Sequence, residues 1–320
     1  MGLVRLALSF LLGPPVFLLA ALCAGAAAAA QQGRDSLRWD VLAHFAPLWL
    51  AGALACALVA LIAFRGLAKL LVLGMAATGL VFSAMLIGPE LTRPAGPSAA
   101  PDAPGQLKIV QFNVWHDSPD PERNLDWLMR EDPDITVLEE TTPRLREAIK
   151  ASGRWRVTCP NCEVMILSKS EPVAEGLGKV HGPITRATFR DARGEFTVIG
   201  VHNAWPTDAD QPGQEARLAQ AIARFPRERT IVTGDFNSAP WSFQRRRWDA
   251  RFGLIRRERA LFTWPATPYK RLRWLGSVPF LPIDHVYAGD DWATVSITRG
   301  PKLASDHYPV VAILAPVAPR

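Results

Sequence analysis

Asn113 in QFNVW, Glu140 in DITVLEE, His202 in GVHNAWP, Asp235 and Asn237 in VTGDFN, Asp284 in PIDHV, and Asp306 with His307 in SDHYPV follow one another along the last two-thirds of a 320-residue chain. Each sits at or just past the end of an apolar, β-branched run, the pattern of a buried strand that delivers a polar side chain to the rim of a sheet. These residue types suit one chemistry. Mg²⁺ keeps several waters and takes one or two protein carboxylates plus substrate phosphate oxygens, so a scattered Glu, Asp and Asn set fits it better than a Cys/His cage. Attack of water on a phosphoester also needs a base, and a His whose other ring nitrogen is held by a carboxylate supplies one near neutral pH. Asp284 and His307 are the candidates for orienter and base. A metal beside them would polarise the phosphoryl oxygen and stabilise the leaving oxyanion, so no covalent nucleophile is required.

Singly, each cluster has a plain alternative. GDFN is also a common turn after a strand, because Gly, Asp and Asn tolerate the left-handed region. Glu140 could serve only to open a helix from Thr142 to Lys150. A lone His after a strand, such as His202, is often a hydrogen-bonded structural residue. As an ordered set, the clusters resemble the endonuclease/exonuclease/phosphatase superfamily, whose members include pancreatic-type DNases, abasic-site endonucleases, bacterial sphingomyelinases and inositol polyphosphate 5-phosphatases. FNVW is similar to the family's opening Asn strand, DITVLEE to its strand ending in Gln-Glu with Glu139 in place of Gln, and GDFN and SDH match unchanged.

The resemblance, from Lys108 to Leu314, implies a four-layer α-β-β-α sandwich. It also implies Glu140 as principal ligand for Mg²⁺ (or Mn²⁺), with Asn113 and Asp306 completing the metal site. Asp235 and Asn237 would position water and phosphate, His202 would contact the phosphate or developing oxyanion, and Asp284 with His307 would activate water. Many nuclease members carry a Tyr or an Arg-rich loop where this chain has HNAWPTDADQP, so nucleic acid and phospholipid or phosphoinositide both stand as substrates. A catalytically idle scaffold that kept the fold is the alternative, and the intact Glu140, Asp235, Asn237, Asp306 and His307 set speaks against it.

The coarse element pattern agrees with an α/β sandwich. Strands are expected at Lys108 to Val114, Asp134 to Glu139, Val164 to Ser168, Ile184 to Phe189, Phe196 to His202, Thr230 to Gly234, Ile283 to Tyr287, Ala293 to Thr298 and Tyr308 to Leu314, with helices near 121–130, 142–150 and 213–224.

Residues 1–90 have a different composition. Leu6 to Ala30, Val41 to Phe64 and Leu70 to Gly88 are almost wholly apolar, each long enough to cross a hydrocarbon core of about 30 Å, which takes about 20 helical residues. Three transmembrane helices are expected, the first kinked or broken at Gly13-Pro14-Pro15. That first run also has signal-peptide features, with basic Arg5 before it and small residues before Gln31. Basic residues flanking the spans are nearly balanced, so the parity of three spans decides topology: an N-terminus in the cytoplasm places everything after Gly88 outside it, at an inner cell membrane with a periplasmic catalytic domain. Residues 91–106, rich in Pro, Ala, Gly and Ser, read as a linker to a catalytic domain at 107–320.

Of four cysteines, Cys23 and Cys56 fall in the apolar runs. Cys159-Pro-Asn-Cys162 lacks the second pair a zinc site would want, and an extracytoplasmic domain makes it a local disulfide. The 36 Lys+Arg exceed the 30 Asp+Glu, and the excess gathers at Arg245 to Arg247, Arg251, Arg256, Arg257, Arg259, Lys270, Arg271 and Arg273, among Trp248, Trp264 and Trp274. That segment is expected to form either a solvated face or a cationic, aromatic rim for a polyanion, nucleic acid or an anionic bilayer.

Overall fold

The computed structural model describes residues 2–176, 183–268 and 277–317, with side chains from Leu12 onward. Two compact units emerge. One comprises Met1–Arg93 with Ala239–Arg246, the other Pro94–Ser238 with Arg247–Arg320.

The second unit holds two six-stranded sheets. The first contains β1 (Leu107–Asn113), β2 (Ile135–Glu139), β3 (Arg156–Thr158), β4 (Val164–Ser168), β11 (Trp292–Arg299) and β12 (Val310–Pro316), in the order β11-β12-β1-β2-β4-β3. The second contains β5 (Ala174–Glu175), β6 (Ile184–Asp191), β7 (Gly194–His202), β8 (Thr230–Asp235), β9 (Ile255–Arg256) and β10 (Asp284–Ala288), in the order β5-β6-β7-β8-β10-β9. Each sheet is built around one parallel pair, β1 with β2 and β7 with β8, and its other pairings are antiparallel. A parallel pair needs a crossover. Helix α5 (Pro121–Glu131) supplies the first and α7 (Gln211–Ile222) the second.

Alternation along the strands sorts the side chains into layers. Ile109, Val137, Val198, Ile231 and Ala288 meet between the sheets. Val110, Phe112 and Leu138 face the other way, onto Trp127 and Leu128 of α5 and Leu145 and Ile149 of α6 (Pro143–Ala151). On the far side Ile199, Val201 and Val232 pack against Leu218 and Ile222 of α7, and against Trp248 and Phe252 at the end of α8 (Phe243–Phe252). The result is helix, sheet, sheet, helix. At Gly200 the sheets approach so closely that a Cβ would lie 2.7 Å from Val137 and Val164 side chains.

Every strand expected from the sequence forms within two residues of its expected ends. The additional strands β3, β5 and β9 are two- or three-residue edges, too short to carry a period. Ser98 bridges to Thr294 in parallel, with Ala99 N–H donating to Thr294 O at 2.9 Å.

The other unit is helical: α1 (Gly2–Ala30), α2 (Leu37–His44), α3 (Ala46–Ala63) and α4 (Gly66–Thr92). Three stretches, Leu12–Arg34, Ala46–Ala63 and Gly66–Thr92, are long and apolar enough to cross a membrane. Small side chains, Ala20, Cys56, Ala60 and Ala76, are buried between the helices, while Leu18, Ile62, Leu67 and Leu70 are more than 60% exposed. That inversion of the soluble pattern is expected of helices surrounded by lipid. Of the kink or break expected at Gly13-Pro14-Pro15, a break does not occur, since α1 runs through both prolines.

Residues 239–246 complete this unit. Trp241, fully buried, donates from Nε1 to His44 O at 3.1 Å, and the Asp40 carboxylate accepts from the backbone N–H groups of Phe243 at 2.8 Å and Gln244 at 2.7 Å. A carboxylate on the first N–H groups of a helix satisfies orphan donors and complements the helix dipole. Asp40→Ala should therefore destabilise the full chain by about 1–2 kcal/mol, with Asp40→Asn recovering most of it. Thermal unfolding followed by tryptophan fluorescence in detergent reads this, and an unchanged Tm in Asp40→Ala would show that the cap contributes nothing.

Candidate active site

The polar residues cluster because the inward-facing alternation of five strands ends on them. Ile109, Gln111 and Asn113 share one face of β1, as Ile135, Val137 and Glu139 do on β2, and the next inward positions on β7, β8 and β10 are His202, Asp235 and Asp284. Strand register makes them neighbours. Asn113 pairs with Glu139 across the first sheet, and His202 and Asp284 flank Asp235 in the second. The two rows face each other at the carboxyl ends of both parallel pairs, the rim where open α/β sheets present their sites.

Local backbone sharpens the arrangement. Glu140 and Asn237 adopt left-handed conformations, with φ of 56° and 49°, which is uncommon for residues other than glycine and recurs where structure is held for function. Asp235 Oδ1 accepts from Asn237 N–H at 2.8 Å, and Asn237 Nδ2 donates to Asn203 O at 2.8 Å. Gly234 is fixed by proximity, because a Cβ there would lie 1.8 Å from Val201 O.

The hydrogen bonds form one network. Asn113 Nδ2 donates to Glu140 Oε1 at 3.0 Å and to Asp235 Oδ2 at 3.1 Å. His307 Nδ1 meets Asp284 Oδ2 at 2.9 Å, and its Nε2 lies 3.6 Å from Asp235 Oδ2. Its loop, between β11 and β12, is pinned by Ser305, whose Oγ donates to Asn113 O at 2.7 Å and accepts from His307 N–H at 3.0 Å. His202 Nε2 stands 3.6 Å from Glu140 Oε1 and 3.9 Å from Asp235 Oδ2. Asp306 Oδ2 accepts from Trp264 Nε1 at 3.1 Å.

Electrostatics divide the acids into two kinds. Burial alone would raise Glu140, but N–H groups of Asn113 and His116 and the nearby His202 outweigh it and bring the carboxyl down to about 2. Glu139, fully buried, is raised well above its ordinary value by desolvation and then by Asp284 and Asp235, which favours the neutral acid. A neutral carboxylic acid has nearly the shape of a carboxamide. Desolvation also raises Asp235 and Asp306 and lowers His202. His307 rises despite burial, because Asp284 and Asp235 flank it, and Asp284 is held low despite burial by His307. Asp235, His307 and Asp284 thus titrate as one unit.

Above this network lies a cleft of about 1140 Å³ lined by Glu140, His202, Asp235, Asn237, Asp306 and His307. Asn113 and Asp284 hold these groups from behind. All eight residues singled out in the sequence are therefore brought together. Four others belong with them. His116 Nδ1 lies 2.7 Å from Glu140 Oε2, Gln111 bridges Glu139 and Asp284, Trp264 holds Asp306, and Asn203, 1% exposed, lines the cleft with no partner for its carboxamide. A period-two reading back from Asn113 would have reached Gln111, and one step past His202 would have reached Asn203; His116 leaves no pattern, because it sits beyond the strand.

The donor set suits a hard divalent cation. Glu140 is ionised and faces the cleft, and it and Asp306 repel one another, each disfavouring the other's charge, a repulsion that a bound cation relieves. Asp235, Asp284 and His307 also bring ligand atoms within 4.8 Å of one another. There, however, Asp284 and His307 already occupy each other, so the all-oxygen side at Glu140 is the better fit.

Among the described residues, only part of the segment expected to form a solvated face or a cationic rim is exposed. Arg245 is fully buried; Arg256 is paired with Asp249 at 3.2 Å and lies 3.7 Å from Glu258; Arg257 donates to the backbone oxygens of Ala288 and Gly289; Trp248 is buried. Arg256 thus ties β9 to α8, and Arg257 ties the segment after β9 to the end of β10. Arg247, Arg251 and Arg259 are exposed, and Lys270, Arg271, Arg273 and Trp274 lie outside the described residues. The Cys159–Cys162 disulfide is present beside the cleft-lining Pro160 and Asn161.

Residues 110–307, more than half of the chain, match the model of the Endonuclease/Exonuclease/phosphatase family. The chain belongs to that family, whose members are hydrolases acting on phosphoester bonds and generally use divalent metals. Among solved structures it is similar to the human Nocturnin catalytic domain with bound sulfate anion (15% identity, 72% of this chain and 99% of that one, TM-score 0.52). It is also similar to the 3′ phosphatase NExo from Neisseria bound to product DNA hairpin (19%, 64% and 98%, TM-score 0.50) and to D. rerio TDP2 complexed with single-strand DNA product (15%, 65% and 98%, TM-score 0.50). At these identities the likeness is one of fold. No curated protein matches the chain.

The depressed Glu140 carboxyl makes a signed prediction. Its folded value, about 2, lies below the ordinary 4.5, so its stabilisation is complete above about 4.5 and is lost as pH falls toward 2. The ceiling is about 3 kcal/mol, reduced by the contact the carboxylate keeps with solvent. Between pH 5 and pH 2 the wild type should lose more stability than Glu140→Gln in denaturant titrations. Parallel losses would show that Glu140 is not preferentially stabilised as its anion.

Proposed function

We propose that the chain is a membrane-tethered, divalent-metal-dependent phosphoesterase in which His307, oriented by Asp284, activates water for attack on a phosphodiester or phosphomonoester. The observation that carries this reading is the buried Asp284–His307–Asp235 unit opening into the same cleft as the ionised Glu140. Glu140, with Asp306, would hold Mg²⁺ or Mn²⁺, which when bound neutralises phosphate charge and stabilises the leaving oxygen. Asn113, expected from the sequence as a further ligand, turns its Nδ2 to Glu140 and its Oδ1 to Trp115 N–H and would orient the Glu140 carboxylate instead. The chain's own groups do the rest. Asp284 fixes the Nδ1 side of His307 and leaves Nε2 directed toward Asp235. The unit the three form takes up the proton of the attacking water, His307 holding its own on Nε2 and the neighbouring Asp235 carboxylate accepting. Asn237, its Oδ1 without a protein partner, orients that water, and His202, neutral through burial, donates to a phosphoryl oxygen. An idle scaffold would have no use for a desolvated acid–imidazole–acid unit, which is costly to maintain.

For the substrate, two sources of support diverge. The structures of NExo and TDP2 hold DNA products, which argues for nucleic acid. The cleft argues otherwise, since it is lined by Glu163, Asp208 and Asp210, and its Arg217 is paired with Asp210 at 2.8 Å. Among the described residues it offers no cationic track for a polyanion. Together with three apolar helices, this favours a phospholipid or phosphoinositide ester presented at a bilayer, with the catalytic domain on the periplasmic or outer face.

Full-length protein assayed on sphingomyelin vesicles, phosphoinositide vesicles and plasmid DNA should show Mg²⁺-dependent hydrolysis of a lipid, abolished in Glu140→Gln and reduced at least about 100-fold in His307→Ala, a typical general-base contribution. Cleavage of DNA alone would reverse the substrate assignment; full activity of Glu140→Gln would end the metal reading. A reporter that works only outside the cytoplasm should be active when fused after Gly105 and silent after Arg65, and the opposite pattern would place the enzyme in the cytoplasm.

A further inference from the structure

We infer that Gln111 is a positioning residue for the catalytic pair, fixing the plane of the Asp284 carboxylate and through it the direction of the His307 ring. This rests on the role proposed for His307. Gln111 is fully buried on β1, two residues before Asn113 and on the same inward face. Its Nε2 donates to Asp284 Oδ1 at 2.8 Å and to Glu139 Oε2 at 3.0 Å. The first of these bonds crosses from one sheet to the other. Asp284 thereby has each oxygen committed, Oδ1 to Gln111 and Oδ2 to His307 Nδ1 at 2.9 Å, so the carboxylate cannot swing about its terminal torsion, which is otherwise broad.

Residue type matters as much as position. Two acidic side chains, both fully buried, flank this point, and a carboxamide offers two N–H donors on one nitrogen without adding charge. A carboxylate would supply only acceptors, an aliphatic chain neither, and Asn would fall one methylene short of Asp284. The only other requirement, a volume that fits between the sheets, is met equally by Met. Packing and positioning therefore separate experimentally.

Gln111→Met and Gln111→Leu should be made in the full-length protein in detergent and assayed with Mg²⁺ on bis(4-nitrophenyl) phosphate, alone and combined with Asp284→Asn. We expect kcat to fall at least tenfold, KM to stay within about twofold, and Tm to hold. In the Asp284→Asn background the Gln111 substitution should cost less than twofold more, since residues acting through one another are non-additive. Unchanged kcat in a folded variant, a loss that multiplies fully in the Asp284→Asn background, or failure of both variants to fold would overturn the inference, the last by assigning Gln111 to structure. His307→Ala is the control on the underlying reading. If it is inactive while Gln111→Met is fully active, only the positioning role falls; if it keeps full activity, both do.

Discussion

Asp235, Asp284 and His307 occupy one desolvated volume at the polar end of the inter-sheet layer, and the cost of withdrawing three ionisable groups from water is tolerable only while each has partners. The surroundings can be read as the means of providing them. Asn113 reaches Asp235, Gln111 reaches Asp284, and Ser305 anchors the loop that carries His307. Neighbouring strands must hold their register for these contacts to exist, because a slip of one residue would exchange inward and outward faces. In this sense the chemistry and the sheet pairing constrain each other.

The same desolvation sorts the acids. Glu140, just past the strand end and in contact with N–H donors, stays ionised and available to a cation, whereas Glu139, one residue earlier and fully enclosed, is driven toward the neutral form. Two identical side chains in sequence thus take opposite electrostatic parts, separated by a left-handed turn at Glu140.

Much of this was legible in the chain. Strands with four or more alternating or continuous apolar residues declare themselves, and the polar residue at one end of each run identifies the rim, the last residue for Asn113, His202 and Asp235 and the first for Asp284. What could not be read depends on tertiary pairing. Gln111 looks like a strand residue until Asp284 arrives from the other sheet, 173 residues away. Arg256 and Arg257 read as part of a solvated face or a cationic rim until Asp249, Glu258 and the carbonyls at Ala288 and Gly289 are seen to occupy them. Short edge strands carry no period, and Asp40 gives no sign that its partners are Phe243 and Gln244.

Because residues 239–246 belong to the helical unit, that unit is discontinuous along the chain. The apolar helices are translated before Trp241, Phe243 and Gln244, so the bonds these residues make to the His44 carbonyl and the Asp40 carboxylate can form only after Pro94–Ser238 has been made. The helical unit is consequently completed by a late-made piece of the sequence, one that follows most of the two-sheet unit along the chain.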